Sequence, residues 1–86
     1  MTLYEFHLVF PEGETQEIQQ ELRINDIVDV NGYPLSLPLP TNRMLAYHVA
    51  RKRMAEERGL VVTWYFLEQL NAGEILEFTL LIRVTN

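Results

Sequence analysis

Apolar residues recur at every second position in two separate stretches of this chain, and that period constrains its fold more than any other feature. In TLYEFHLVF, Tyr4, Phe6, Leu8 and Phe10 share one face, and Leu3, Glu5, His7 and Val9 the other. In LVVTWYFLEQL, Leu60, Val62, Trp64 and Phe66 again line one side. Successive side chains of a strand point to opposite faces, so both stretches read as strands of a sheet that needs a cover on at least one face.

Turn chemistry divides the rest. Pro11 to Glu14 ends the first strand, and TQEIQQELRI follows with Ile18, Leu22 and Ile24 as its apolar residues. Its Gln and Glu content suits a helix, while the preceding hairpin-like turn and the parity of its apolar residues suit a polar edge strand. The edge strand is adopted here for Thr15 to Ile24. Asn31-Gly32 lies between apolar stretches and signals a hairpin closed by a type I′ turn, which needs positive φ at both of these residues. Pro38 and Pro40 lack N–H donors, so LPLP reads as an extended connector.

Over Thr41 to Gly59 the spacing predicts a helix, with Thr41 or Asn42 as N-cap and Gly59 just past its C-terminus. Leu45, Ala46, Tyr47, Val49, Ala50 and Met54 would form its buried side. Beyond it, the two stretches around Asn71-Ala72-Gly73 read as a closing hairpin. Matching their apolar faces pairs Phe66 with Phe78 and Trp64 with Leu80, and places Gly73 in the left-handed region of a three-residue loop. The expectation is an α+β single domain over residues 1–86, in the order β-β-β-β-α-β-β. It combines a mostly antiparallel sheet of about five to six strands with one amphipathic helix.

A domain of 86 residues buries only roughly 60 to 65% of its unfolded surface and has little stability to spare. Cysteine is absent, which excludes disulfides, thiolate metal sites and thiol nucleophiles. No basic, apolar leader begins the chain, and no apolar run approaches the roughly 20 residues of a bilayer span. A cytoplasmic protein without membrane association is expected.

Chemistry-bearing residues are sparse. Neither His7 nor His48 has the company of acids or histidines that a metal site requires. Asp26, Asp29 and Asn31 fail the calcium-loop template, because Ile27 and Pro38 fall where acids are needed. No phosphate-binding glycine loop or nucleophile elbow occurs. No enzyme activity, cofactor or metal is expected.

Charge remains. Residues 1–42 hold seven acids and one base, residues 43–58 five bases and two acids, and the rest three acids and one base, for a net charge of −5. On the expected helix His48, Arg51, Lys52 and Arg58 form an exposed basic stripe, while Arg53 points toward the apolar side and must snorkel to the rim or find an acidic partner. Acids such as Glu17, Glu21, Asp26 and Asp29 could meet the stripe from a neighbouring element or subunit. On the expected terminal hairpin Val61, Tyr65, Leu67, Ile75 and Leu81 make a second apolar face, too apolar for free solvation and suited to a homodimer interface. The chain therefore reads as a small protein-interaction module whose partner is itself or an acidic protein. The alternative is weak nucleic-acid binding by the basic helix, against which stands the acidic net charge.

Overall fold

The computed structural model describes residues 1–80. Five strands and one helix follow in the order β1 (Leu3–Val9), β2 (Thr15–Ile18), β3 (Ile27–Asp29), β4 (Ala46–Glu57), β5 (Leu60–Gln69) and α1 (Ala72–Thr79). The strands form one sheet, β2-β1-β5-β4-β3. Neighbours are antiparallel except at the centre, where β1 runs parallel to β5 with Leu8 beside Tyr65. The α+β class holds, but the sheet is mixed, with five strands and the element order β-β-β-β-β-α.

Both alternating stretches form strands, but in β5 the core face is Thr63, Tyr65 and Leu67, opposite to the Leu60, Val62, Trp64 and Phe66 side expected to be covered. Register places Phe6, Leu8, Thr63, Tyr65, Leu67, Val49, Tyr47 and Val28 on one face, here termed inner. There Leu8, Phe10, Leu22, Val28, Tyr47, Val49, Tyr65 and Leu67 form the main core, flanked by Phe6 and Ile18. Phe10 meets Tyr47 edge to face at 5.2 Å. The edge strand read over Thr15 to Ile24 forms over its first four residues, after which the chain crosses the inner face. Leu22 buries there, and its N–H donates to the Tyr65 hydroxyl at 3.0 Å.

The chain reverses at Asn31-Gly32, but not in a type I′ turn: only Gly32 takes positive φ (85°), and the Asp29 N–H to Tyr33 carbonyl bond closes a three-residue loop, Val30-Asn31-Gly32, in which the Gly32 N–H donates to the Asp29 carbonyl. Asp29 Oδ1 accepts from the Asn31 and Tyr33 N–H groups, fixing the loop. The returning segment makes a single bridge, Val28 to Pro34, and becomes the proline-rich connector, whose Leu37-Pro38 peptide is cis. Leu39 in that connector is buried with Ile27, Ala46, Leu70 and Ile75 in a second, smaller core.

Two expected elements differ. The helix over Thr41 to Gly59 does not form: Ala46–Glu57 is a twelve-residue strand. Gly59 is not a helix terminator but the second residue of a two-residue hairpin turn, in which Arg58 (φ 53°) and Gly59 (φ 84°) both take the positive φ of a type I′ turn. The neighbouring run LVVTWYF offers a long β-rich partner, and ladder formation with it outweighs the helix propensity of Ala, Arg, Met and Glu, worth only tenths of a kcal/mol per residue.

The closing hairpin is also replaced. After β5 the chain enters α1, and Gly73 lies inside that helix rather than in a left-handed loop position. Asn71 caps it: its side chain accepts from the Glu74 N–H at 2.8 Å, while the Glu74 carboxylate accepts from the Asn71 N–H at 2.9 Å. Reciprocal capping satisfies two backbone donors at once, and Ile75 then buries against the Ile27 and Ala46 end of the outer face.

The helix and connector cover only that end. The radius of gyration is 14.5 Å, with principal extents of 48 × 30 × 17 Å. A compact chain of this length would have about 12 Å. The excess comes from the far end, where the second half of β4 and the first halves of β5 and β1 extend as a ribbon beyond both cores.

Candidate interaction surface

A bulge decides how the basic residues of β4 are displayed. Val49 pairs with Leu67 on the inner face, and the register slips by one residue before Arg51 pairs with Phe66. An extra residue on one strand flips every side chain beyond it. Arg51 and Arg53 consequently share the outer face with Phe66 and Trp64, while Lys52, Met54 and Glu56 line up with Tyr65, Thr63 and Val61 on the inner side.

The expected stripe of His48, Arg51, Lys52 and Arg58 is therefore not one surface. His48 is half-buried on the outer face, with Nε2 3.5 Å from Glu68 Oε1. Arg51 lays its guanidinium over the Phe66 ring, 4.2 Å from the centroid. Lys52 points to the opposite face, and Arg58 sits in the turn. Arg53, which a helix would have aimed at its apolar side, instead joins Arg51 on the outer face.

Of the acids expected to meet these bases within the chain, Glu21 lines a cavity together with Lys52 without forming an ion pair, and the others are engaged elsewhere. Asp26 Oδ2 accepts from the Arg23 N–H at 2.8 Å, and Asp29 holds its own turn. Glu17 pairs with His7 in register on the far side of the sheet. Among the described residues, no carboxylate lies within ion-pair distance of Arg51, Lys52, Arg53 or Arg58; the pairs within 4.0 Å are His7 with Glu5 and His48 with Glu68.

The expected apolar interface also dissolves. Tyr65, Leu67 and Ile75 are 1%, 4% and 5% exposed and belong to the cores, so no partner can reach them. Val61 is half-buried on the inner face near the ribbon's end. Leu81 lies outside the described residues. Burial raises the Tyr65 hydroxyl above the ordinary tyrosine pKa; the bond from the Leu22 N–H opposes this, and Glu21 and Asp26 add to it.

Three features that sequence reasoning missed emerge. The outer face carries Val62, Trp64 and Phe66, all half-buried, with His7 stacked on Trp64 at 6.4 Å and no described element laid over them. The ribbon's inner side exposes Tyr4 and Met54. The third feature is the free edge of β4: β3 pairs only with Ala46 to His48, and the last backbone bonds on that side join Val49 to Asn25 and Asp26. From Arg51 to Glu57 the edge has no backbone partner among the described residues, although Lys52 borders a cavity with Glu21, Leu22, Arg23 and Ile24. The alternation of Trp64 and Phe66 marked the outer face in the sequence, but nothing in the sequence marked the edge.

Among the described residues no cluster of three or more His, Asp or Glu is placed to hold a metal ion, and no helix is long and apolar enough to cross a membrane. The family model described as "Uncharacterised Treponema protein" matches residues 2–78. No curated protein and no solved structure matches the chain.

Proposed function

The chain belongs to that Treponema protein family, and from its own surface we propose that it is a non-catalytic interaction module that works by self-association. The observation that carries this reading is the ribbon of β4, β5 and β1, which extends beyond both cores with a free edge and with apolar side chains on both faces. A sheet of 86-residue scale gains little from such a ribbon as an isolated chain, because it orders backbone without burying a matching apolar area. A second copy supplies the missing burial and the missing backbone partners. A cytoplasmic setting belongs to the proposal, since a cysteine-free domain stabilised by assembly loses nothing in a reducing compartment. Sedimentation velocity of the full chain at micromolar concentration tests it: a species of twice the 10.1 kDa chain mass is expected, and a sole species of 10.1 kDa at every concentration overturns it.

A second reading rests on the outer face. Arg51 stacked on Phe66, beside Trp64 and Arg53, has the aromatic and cationic make-up of a single-stranded nucleic-acid platform. The net charge of −5 weakens it. Fluorescence anisotropy with mixed oligonucleotides at two salt concentrations separates the readings. Binding that falls steeply with salt supports nucleic acid, and background signal at low salt removes it.

A further inference from the structure

The seven residues of the free edge read RKRMAEE, Arg51 to Glu57: three bases, Met54, Ala55 and two acids. We infer that this edge is the assembly surface and that its occupant is a second copy of the same edge, paired antiparallel about a two-fold axis through Met54. The inference rests on the self-association reading and adds to it the strand, the register and the partner.

The backbone permits it. Glu57 and Leu60 close a two-residue turn, so the N–H and C=O groups of Glu57, and of Ala55, Arg53 and Arg51 in alternation, point to β5. Those of Lys52, Met54 and Glu56 point outward. Centring two such edges on Met54 sets Met54 against Met54 and Lys52 against Glu56 as hydrogen-bonded pairs, with Arg51 against Glu57 and Arg53 against Ala55 between them. Every outward donor on one edge then meets an acceptor on the other.

The charges select this register. By symmetry the pairing contains two Lys52–Glu56 and two Arg51–Glu57 contacts, and no like charges face each other directly. Arg53 lies diagonal to both Glu57 and Arg53 of the second copy, so it adds no net preference. Sliding the axis to Arg53 sets arginine against arginine, and sliding it to Ala55 sets Lys52 against Arg58, which offsets the two Arg53–Glu57 contacts that register gains. A parallel arrangement in register stacks each base on its own copy. Charge reversal along one strand thus favours one antiparallel pairing and disfavours the others. It also accounts for basic residues gathered in an acidic protein without a carboxylate within ion-pair distance among the described residues. The bases and the acids that complement them are neighbours in sequence, but a strand cannot fold back on itself to join them, whereas a two-fold mate can.

The test is a charge reversal at the pair nearest the axis, read by sedimentation of the full chain. Lys52→Glu and Glu56→Lys each turn two attractive contacts repulsive, and each is expected to weaken the dimer by roughly tenfold or more. The double variant Lys52→Glu/Glu56→Lys restores opposite charges and returns affinity toward wild type. Because a misfolded single variant would also lose assembly, the deciding arm mixes the two single variants. Each supplies the charge the other lacks, so a mixed dimer is expected to form more tightly than either variant alone. A wild-type dimer that ignores both reversals, or a mixture that gains nothing, overturns the edge pairing while leaving self-association through another surface. A wild-type monomer overturns both.

Discussion

The Tyr65 hydroxyl accepts a hydrogen bond from the Leu22 backbone N–H at 3.0 Å, joining residues 43 positions apart beneath the sheet. Tyr65 is almost wholly buried, and the bond fixes the segment that crosses from the end of β2 toward the start of β3. Tyr65→Phe keeps the ring and leaves a buried N–H without a partner, so a loss of about 1–3 kcal/mol is expected in denaturant unfolding. The raised pKa carries its own consequence. Stability from the neutral hydroxyl is fully present below the ordinary tyrosine value of about 10 and is lost as pH rises through it toward the folded-state value. Wild type should therefore destabilise in that alkaline range, and Tyr65→Phe should remove this part of the dependence.

Arg58 occupies the left-handed region in a turn whose favoured sequence is Asn-Gly. Arg58→Asn is expected to raise stability by roughly 0.5–1 kcal/mol, because Asn adopts this conformation at lower cost. Thermal unfolding monitored by circular dichroism checks it, and an unchanged or lower midpoint would argue against the type I′ turn.

Gly32 and Gly13 both have positive φ, but only Gly32 faces the core. A Cβ on Gly32 would lie 2.6 Å from Leu8 Cδ1, whereas nothing lies within 4 Å at Gly13. Gly13→Ala meets backbone strain alone, while Gly32→Ala adds overpacking against a fully buried leucine. Gly32→Ala should be the more destabilising of the two by about 1–3 kcal/mol in equilibrium unfolding.

Asn71→Ala removes the N-cap of α1 and the reciprocal bond with Glu74. A loss of about 1 kcal/mol is expected, and Asn71→Asp, which keeps an acceptor, should recover most of it.

These positions also mark where the sequence was legible. The strands β1 and β5, the start of the edge strand at Thr15, a reversal at Asn31-Gly32 and the proline-rich connector could be read, because each rests on local period or turn chemistry; the turn type and which face of β5 is buried could not. β4 could not. Its bulge between Val49 and Arg51 breaks the two-residue period, its distal half is polar on both faces, and its composition suits a helix, so only the partner strand β5 reveals it. Glycine also misled: Gly59 meets the same demand for positive φ at a helix end and in a type I′ turn. The capping box from Asn71 to Glu74 was written in the sequence but competed with the alternation of Leu76, Phe78 and Leu80. The candidate surface was half legible. Its residues on β4 were singled out by charge, yet which face or edge they occupy depends on the bulge.

Amide hydrogen exchange at Lys52, Met54 and Glu56 reads the edge pairing itself, because these N–H groups point away from β5 and have no acceptor among the described residues. Fast exchange at high dilution and strong protection at concentrations where the dimer forms are expected, while the Arg51, Arg53 and Ala55 amides stay protected throughout by β5. Fast exchange of Lys52, Met54 and Glu56 at concentrations where the chain is dimeric would contradict it.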